Sequence, residues 1–473
     1  MKQILGTTDL MTQNDATESG RRLFLRRIAA ASAVGAGTLA AGPVASASDR
    51  DDDDRRQGPD HGEGARWTTT WCASAHGLFP LGTAVSQPDL SFAFPDPTTG
   101  ANNQSFRLIV RPTIWGEHFR LRFSNFFGSQ AVAFDGVYLG LQASAGVVVK
   151  DSNRRVTFTG SRQVSIAPGQ RVWSDPVHLD ALRGPDSELL QGRKLAVSFQ
   201  VVGTSGPMTW HSKAVQTSYL SAPGAGSHGG DQSDSAFPYS TASWYFLDAV
   251  DTAGSRDAAT VVALGDSITD GTASTLNGDD RWPDVLTRRL HAAFGNRIAV
   301  ANAGVGGNRI VSDSPNGGPS AISRLERDVL SLSDVSAVIW LEGINDLRAG
   351  TTAEAVIDGI KAGVAYLRQR RPGIRIVQAT ITSDKGNATT TAAVQAARQA
   401  VNAFIRTAKI FDAVVDFDAV TVDPASGELR PEFLPNSTTA GIDHLHPNRA
   451  GYQAMGNAVD IRLLGQWLLA ERR

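Results

Sequence analysis

The chain has 473 residues, a formal net charge of −2 at pH 7 and a single cysteine. Its length predicts two or three compact units, and its balanced charge, without a Lys/Arg stripe, argues against a nucleic-acid partner. One cysteine excludes an intramolecular disulfide, so we expect Cys72, beside Trp71, to be a small packed side chain rather than a reactive thiol.

Residues 1–48 have the pattern of a twin-arginine-type signal peptide. Arg21 and Arg22 precede an apolar Ala/Gly-rich stretch at 28–41, and the small residues 45–47 fit a cleavage site. The apolar run is shorter than the ~20 residues that a membrane span requires. We therefore expect export to the periplasm or the medium, with no stable membrane span.

The next part of the chain predicts a linker followed by a β-rich domain. Residues 49–65 are acidic and almost devoid of apolar side chains, which is typical of a disordered linker. Between residues 66 and 250, short alternating segments at 106–110, 119–123 and 194–199 are separated by Gly, Pro and Asn. This pattern predicts antiparallel strands in a β-sandwich-like domain.

Two features of this β-rich part bear on function. It holds six of the nine tryptophans, which we interpret as core residues of a sandwich, with carbohydrate binding as the alternative. Residues 221–230 are rich in glycine and predict a mobile loop.

From about residue 258 the pattern changes to short apolar runs that alternate with segments of helical period. This alternation is typical of a parallel sheet covered by helices on both faces. The pair Thr351 and Glu354 predicts a capping box. The predicted strands are 261–264, 297–300, 337–341, 374–381 and 414–417. The predicted helices are 282–294, 321–330, 353–370, 391–408 and 450–469.

Polar residues follow the first three of these strands and precede the last helix. They occur at 265–267, 302–308 and 342–346, and Asp443 and His446 stand before the final helix. The carboxyl ends of parallel strands meet at one edge of a sheet, where ligands bind. A serine at a strand-to-helix turn, with a histidine and an aspartate, is a candidate for nucleophilic catalysis.

Each of these motifs also has a structural interpretation. Ser267 could cap a helix, residues 304–307 could form a turn or a phosphate-binding loop, and residues 345–346 could be a turn. A dinucleotide fingerprint would require glycine where Arg309 stands, so no cofactor is expected. Asp266 is interpreted as a structural hydrogen-bonding residue.

A metal site at the same place is a further alternative. Asp443, His444 and His446 could combine with Asp266 or Asp270. Side chains alternate along an extended segment, so His444 and His446 should face opposite ways. We therefore expect no metal.

Taken together, the blocks resemble those of the GDSL esterase/lipase family, the SGNH hydrolases. Four blocks occur in family order between residues 261 and about 469, with Ile268 in place of the usual leucine. The resemblance implies an α/β domain over residues 258–473, a three-layer flavodoxin-like parallel sheet, here preceded by the antiparallel β-sandwich. It requires no metal.

The same resemblance implies roles for individual residues. Ser267 would be the nucleophile, His446 the general base and Asp443 the residue that orients the imidazole. The backbone N–H groups of Ser267 and Gly307 and the side-chain amide of Asn345 would form the oxyanion hole.

The sequence therefore predicts an exported carboxylic ester hydrolase that forms an acyl-enzyme. Its expected partner is a small-molecule or polysaccharide ester, with short acyl or acetyl esters of carbohydrates preferred. A lipase or lysophospholipase is the alternative substrate class, and a non-catalytic carbohydrate- or surface-binding protein is the alternative of another kind. No oligomeric state is predicted.

Overall fold

The computed structural model describes residues 66–182, 192–253, 257–436 and 441–470. The predicted signal peptide and linker, residues 1–48 and 49–65, lie outside the described residues. Those that are described belong to one compact unit of the chain, His61–Arg473, and the proposed domain boundary between 250 and 258 stays a prediction. No helix in the described part is long and apolar enough to cross a membrane.

The described residues within 66–253, which we call the antiparallel region, form three antiparallel sheets. One has the order β1-β16-β4-β10 with β9 on β4, the second β14-β13-β3-β11-β5-β6 with β7 and β8 on β5, and the third β15-β12-β2. The strands are β1 (Trp67–Cys72), β2 (Gly77–Leu78), β3 (Asn102–Val110), β4 (His118–Ser124), β5 (Val132–Ser144), β6 (Val147–Val148), β7 (Arg154–Arg155), β8 (Val164–Ile166), β9 (Arg171–Trp173), β10 (Val177–His178), β11 (Leu195–Thr204), β12 (Thr209–His211), β13 (Ser218–Leu220), β14 (Tyr239–Thr241), β15 (Trp244–Tyr245) and β16 (Leu247–Ala253).

Aromatic side chains fill the core of the antiparallel region. The rings of Phe106 and Phe199 stack with centroids 5.1 Å apart, and Trp210 and Trp244 are buried with them. The predicted mobile loop, 221–230, is bound to β3 by buried Arg107, which donates to the carbonyl of His228. The hydrogen bonds of this loop thus lie within the antiparallel region, and its mobility stays a prediction.

Residues 257–470, the α/β region, contain a five-stranded parallel sheet. Its strands are β17 (Ala259–Gly265), β18 (Ile298–Gly304), β19 (Val335–Leu341), β20 (Arg375–Ala379) and β21 (Ala413–Val415). Their order, β18-β17-β19-β20-β21, is the 2-1-3-4-5 order of flavodoxin-like folds. The strands are almost wholly apolar because helices cover both faces. The predicted fold class is confirmed.

Helices alternate with these strands. They are α1 (Ser267–Asp270), α2 (Trp282–Phe294), α3 (Ala321–Leu325), α4 (Ile344–Arg348), α5 (Ala353–Arg370), α6 (Ala392–Thr407), α7 (Phe417–Thr421), α8 (Arg449–Ala458) and α9 (Ile461–Ala470), with a short 3₁₀ turn at Pro431–Phe433. Another 3₁₀ turn, Asp180–Leu182, lies in the antiparallel region. The bounds of α2 and α5 match the sequence prediction.

Three local predictions differ from the structure. The helix predicted at 321–330 continues past α3 as a π-helical turn, Glu326–Leu330. The last predicted helix is divided because Asp460 accepts hydrogen bonds from the N–H groups of Arg462 and Leu463 and thereby begins a new helix. The predicted capping residue of α5 is wrong, since Thr352 rather than Thr351 accepts from the Ala355 N–H.

The antiparallel region and the α/β region share a buried polar boundary. Arg327 donates to the carbonyl oxygen of Ala75 over 3.0 Å, and Thr260 donates to that of Thr69 over 3.1 Å. Cys72 is buried there with its Sγ 3.3 Å from the carbonyl oxygen of Asn302. Residues of the antiparallel region therefore reach the strands that carry the candidate site.

Candidate active site

Ser267 stands at the first residue of α1, directly after the carboxyl end of β17. The residue before it, Asp266, caps the helix by accepting a hydrogen bond from the Ile268 N–H over 3.0 Å. Burial raises the pKa of Asp266 to about 7, with that hydrogen bond opposing the shift. Its contacts agree with the structural role that the sequence suggested.

The structure brings Ser267, His446 and Asp443 into line. Ser267 Oγ lies 2.8 Å from His446 Nε2, and His446 Nδ1 lies 2.5 Å from Asp443 Oδ2. The other carboxylate oxygen, Asp443 Oδ1, accepts the N–H groups of Leu445 and His446, each at 3.0 Å. This local turn fixes the carboxylate next to the imidazole. Ser267 and His446 are 179 positions apart in the chain and are brought together by the tertiary structure.

Electrostatics favour an ionised Asp443 and a neutral His446. Burial alone would raise the pKa of Asp443, but the hydrogen bond and charge of His446 and two backbone N–H groups lower it to about 2. Burial lowers the pKa of His446 below its ordinary 6.5 and outweighs the opposing effect of Asp443, while Lys213 and Arg348 lower it further. A neutral imidazole next to a hydroxyl can act as a general base.

Gly307 lies in the loop after β18, residues 305–308, which we call the oxyanion loop after its predicted role, and Asn345 contacts this loop from α4. Gly307 has φ +78°, in the left-handed region that favours glycine. Asn345 Nδ2 donates to the carbonyl oxygen of Asn308 over 2.9 Å, which aligns the amide with the loop. The Val305 N–H donates to the Gly265 carbonyl over 3.0 Å and joins the loop to the serine turn.

A buried arginine that sequence reasoning missed also supports this loop. Arg324, on α3, donates to Asn308 Oδ1 over 2.7 Å, to the Ala303 carbonyl over 2.8 Å and to the Gly265 carbonyl over 2.9 Å. Its charge is balanced by Asp328 at 3.2 Å. One guanidinium therefore ties the serine turn to the oxyanion loop, in the fixed fork geometry that only arginine provides.

His444 and His446 face different neighbours. His444 has φ +55° and its Nδ1 lies 3.8 Å from Glu428, whereas His446 faces Ser267. Among the described residues, the group of side chains with metal-ligand spacing is Glu117, His118 and His178. It lies on β4, on β10 and in the residue before β4, in the antiparallel region, where Asp180 Oδ1 is also 2.7 Å from His178 Nδ1.

A flavodoxin-like sheet with a serine, an imidazole and a carboxylate aligned at its carboxyl edge defines the class of SGNH-type hydrolases. Residues 263–454 match the GDSL-like lipase/acylhydrolase family. The α/β region of this chain is therefore a GDSL-type carboxylic ester hydrolase domain, as the motifs predicted.

Solved structures of similar fold include two bacterial enzymes. A lipase/acylhydrolase from Enterococcus faecalis is 22% identical, with 44% of this chain and 95% of that chain covered and a TM-score of 0.33. A carbohydrate acetylesterase family member from Sinorhizobium meliloti is 20% identical, with 44% and 99% covered and a TM-score of 0.34. No curated protein sequence matches the chain.

Proposed function

We propose that this protein is an exported serine esterase that hydrolyses carboxylic esters through an acyl-enzyme, with short acyl esters of carbohydrates as substrates. The observation that carries the proposal is the continuous hydrogen-bond chain from Ser267 Oγ through His446 to Asp443, at 2.8 and 2.5 Å. A buried hydroxyl aligned with a neutral base in this way is the arrangement that acyl transfer requires.

In the first half of the reaction, Ser267 Oγ attacks the ester carbonyl carbon while His446 Nε2 takes the hydroxyl proton. The negative charge that develops on the carbonyl oxygen would be held by the N–H groups of Ser267 and Gly307 and by Asn345 Nδ2. Asp443 stabilises the imidazolium and keeps its ring oriented. Collapse of the tetrahedral intermediate transfers the His446 proton to the leaving alcohol and leaves an acylated serine.

In the second half, water replaces the alcohol. His446, neutral again, takes a proton from the water as it attacks the acyl carbon, and the same donors hold the second oxyanion. The intermediate then releases the carboxylic acid, and His446 returns the proton to Ser267. The reaction needs no metal or cofactor for proton balance.

The substrate class is argued from the predicted export and from the surface around the site. Export, suggested by Arg21 and Arg22, would bring the enzyme to extracellular esters. One observation favours the lipid alternative, because Ile442, which precedes Asp443 in the sequence, is 64% exposed. Exposed apolar side chains at the edge of a site suit a lipid surface, so lipid esters remain the second candidate.

The reaction is tested with a fluorophosphonate probe and a set of esters. Wild-type protein should be labelled at Ser267 and should hydrolyse p-nitrophenyl acetate, and Ser267→Ala should do neither. Unlabelled but folded wild-type protein would refute the proposal and favour a binding protein.

The substrate class is tested by comparing acetylated xylan, a lysophospholipid and p-nitrophenyl esters of increasing chain length. A kcat/KM that falls steadily beyond the short acyl groups, with acetate released from xylan, supports the carbohydrate assignment. Faster hydrolysis of long chains and of the lysophospholipid would replace it with the lipid alternative. Export is checked separately, by sequencing the N-terminus of protein recovered outside the cytoplasm.

A further inference from the structure

Two buried side chains of the antiparallel region, those of His211 and Lys213, lie close to the oxyanion loop and to the helix that begins with Ser267. His211 ends β12, and Lys213 follows two residues later. Both side chains are almost wholly inaccessible, with residue exposures of 4% and 2%. Neither residue belongs to the motifs of the α/β region, and cationic side chains are rarely buried unless a partner compensates them.

The surroundings of His211 require both of its ring nitrogens to donate. Nδ1 lies 2.7 Å from the Ser74 carbonyl oxygen, and Nε2 lies 2.9 Å from the Lys213 carbonyl and 3.1 Å from Asp270 Oδ1. All of these atoms are acceptors, so only the imidazolium satisfies them. Burial opposes the charge, but Asp270 and the two carbonyls raise the pKa of His211 above its ordinary 6.5.

The neighbouring histidine, His76, is neutral rather than charged. The backbone N–H of Ser212 faces His76 Nδ1 at 3.3 Å, and Ser212 Oγ lies 3.2 Å from His76 Nε2. Burial and the charge of His211 lower the pKa of His76 well below its ordinary value. His211 is thus the charged member of this histidine pair.

Asp270 connects His211 to the candidate site. Its second oxygen, Oδ2, accepts the backbone N–H of Gly306 over 2.8 Å, and Gly306 immediately precedes the oxyanion donor Gly307. Asp270 is also the last residue of α1, which begins with Ser267. One buried carboxylate therefore contacts the oxyanion loop while sharing a single helical turn with the nucleophile.

Lys213 approaches the same glycine from the antiparallel side. A Cβ at Gly306 would lie 2.8 Å from Lys213 Nζ and 2.2 Å from Thr83 Oγ1, so only glycine allows this close packing. The ammonium also donates to Thr272 Oγ1. Burial lowers the pKa of Lys213, with Asp270, Asp266 and Asp443 opposing the shift.

We propose that His211 is a positioning residue that acts through Asp270, which holds the Gly306 N–H and so sets the donor geometry of Gly307, and that Lys213 supports the same loop by packing directly against Gly306. The antiparallel region would then be a working part of the ester hydrolase rather than an appended module. This inference rests on the proposed function, because the geometry matters only if an oxyanion forms at Gly307.

The test uses the full chain with Asp270→Asn, His211→Phe and the double variant. Phenylalanine keeps the ring that contacts Trp244 but has no N–H, and asparagine is isosteric with aspartate. We expect kcat per titrated active site to fall on the order of 10- to 100-fold, because the donor is misplaced rather than removed. KM should change little, and phosphonylation of Ser267 should slow in parallel. The double variant should be no worse than the poorer single variant.

A matched control is Asp251→Asn, which alters a buried aspartate paired with Arg120 at the same regional boundary. It should lower the melting temperature without changing kcat per active site. His211→Gln, which restores one donor, should recover part of the loss that His211→Phe causes. If these residues had a purely structural role, kcat per active site and the melting temperature would instead fall together in all of these variants.

Amide exchange separates this inference from the reaction itself. In Asp270→Asn, peptides that contain Gly306 should exchange faster while those of α5 stay unchanged. If wild-type protein hydrolyses esters but the single variants keep wild-type kcat, or if their effects simply add, the inference fails alone. If the wild type neither hydrolyses esters nor labels at Ser267, the proposed function fails, whatever the exchange result.

Discussion

The two regions of the molecule relate to the candidate site in different ways. The α/β region carries the hydroxyl, the imidazole, the carboxylate and the hydrogen-bond donors, all on turns at one edge of a parallel sheet. The antiparallel region carries none of these groups. Its His211 nevertheless contacts Asp270, the last residue of α1, and its Lys213 contacts Thr272, two residues further on. Reacting groups thus lie in short motifs, whereas their support comes from distant parts of the chain.

The largest effect should come from the nucleophile and the base. Ser267→Ala or His446→Ala should lower kcat on the order of 10⁶-fold, since the members of such a unit fail together. The measurement is the hydrolysis of p-nitrophenyl acetate, with circular dichroism to confirm folding. Substantial residual turnover in a folded Ser267→Ala protein would move the chemistry away from the α/β region.

A smaller loss is expected when the carboxylate is neutralised. Asp443→Asn should lower kcat about 10⁴-fold, because the imidazole loses its orienting acceptor and its compensating charge. Asp416→Asn, which changes a carboxylate paired with Arg406 elsewhere in the α/β region, is the control. Near-wild-type turnover in Asp443→Asn would show that another group orients His446.

The side-chain donor of the oxyanion hole should contribute less again. Asn345→Ala should lower kcat about 10² to 10³-fold with little change in KM, as for the loss of one preorganised donor. Asp270→Asn, which removes the contact of the α/β region with His211, is the comparison, since loss of the direct donor should lower kcat more than loss of a residue that positions one. The reverse ranking would contradict the indirect role assigned to Asp270.

The pH dependence should show one acidic limb. A general base must be neutral, so kcat/KM should rise with pH as His446 loses its proton. The limb should lie below pH 6.5, because burial lowers the pKa of His446. The pKa of Asp443 is about 2, so Asp443 stays ionised above that pH. Among Asp443 and His446, only His446 should therefore contribute an ionisation to the profile. An acidic limb well above pH 6.5 would show that burial does not lower the pKa of His446.

The smallest effect compares a cation from each region. Lys213 and Arg348 both lower the pKa of His446, so Lys213→Met and Arg348→Gln should each shift the acidic limb to higher pH. The expected shift is a fraction of a pH unit, measured from kcat/KM profiles at constant ionic strength. A limb that moves in Arg348→Gln only would confine the electrostatics of the site to the α/β region.

Much of the α/β region could be predicted from local sequence. The bounds of Trp282–Phe294 and Ala353–Arg370 were predicted to the residue, because helical periodicity and end signals agree there. The division near Asp460 was missed, since an aspartate that caps a new helix looks like any polar residue within a longer periodic run. The predicted cap at Thr351 was wrong because two adjacent threonines offer equal capping chemistry.

The residues that support the candidate site could not be predicted from local sequence patterns. Local sequence did not single out Arg324, His211 or Lys213, and it offered Asp270 only as a possible metal ligand. Their burial depends on contacts between segments far apart in the chain, for example the 59 residues that separate His211 from Asp270. Periodicity reports which face of an element is apolar, but it does not report which distant charge that face will meet.

What the sequence alone determined is the alternation of strands and helices in the α/β region, because it depends on neighbours a few positions apart; from its short motifs the residues for acyl transfer were a prediction. Only the tertiary structure decided that His446 reaches Ser267 and that a histidine and a lysine from the antiparallel region lie behind the oxyanion loop. The physical reason is that buried charges persist only where the folded chain surrounds them with partners, and those partners come from both regions.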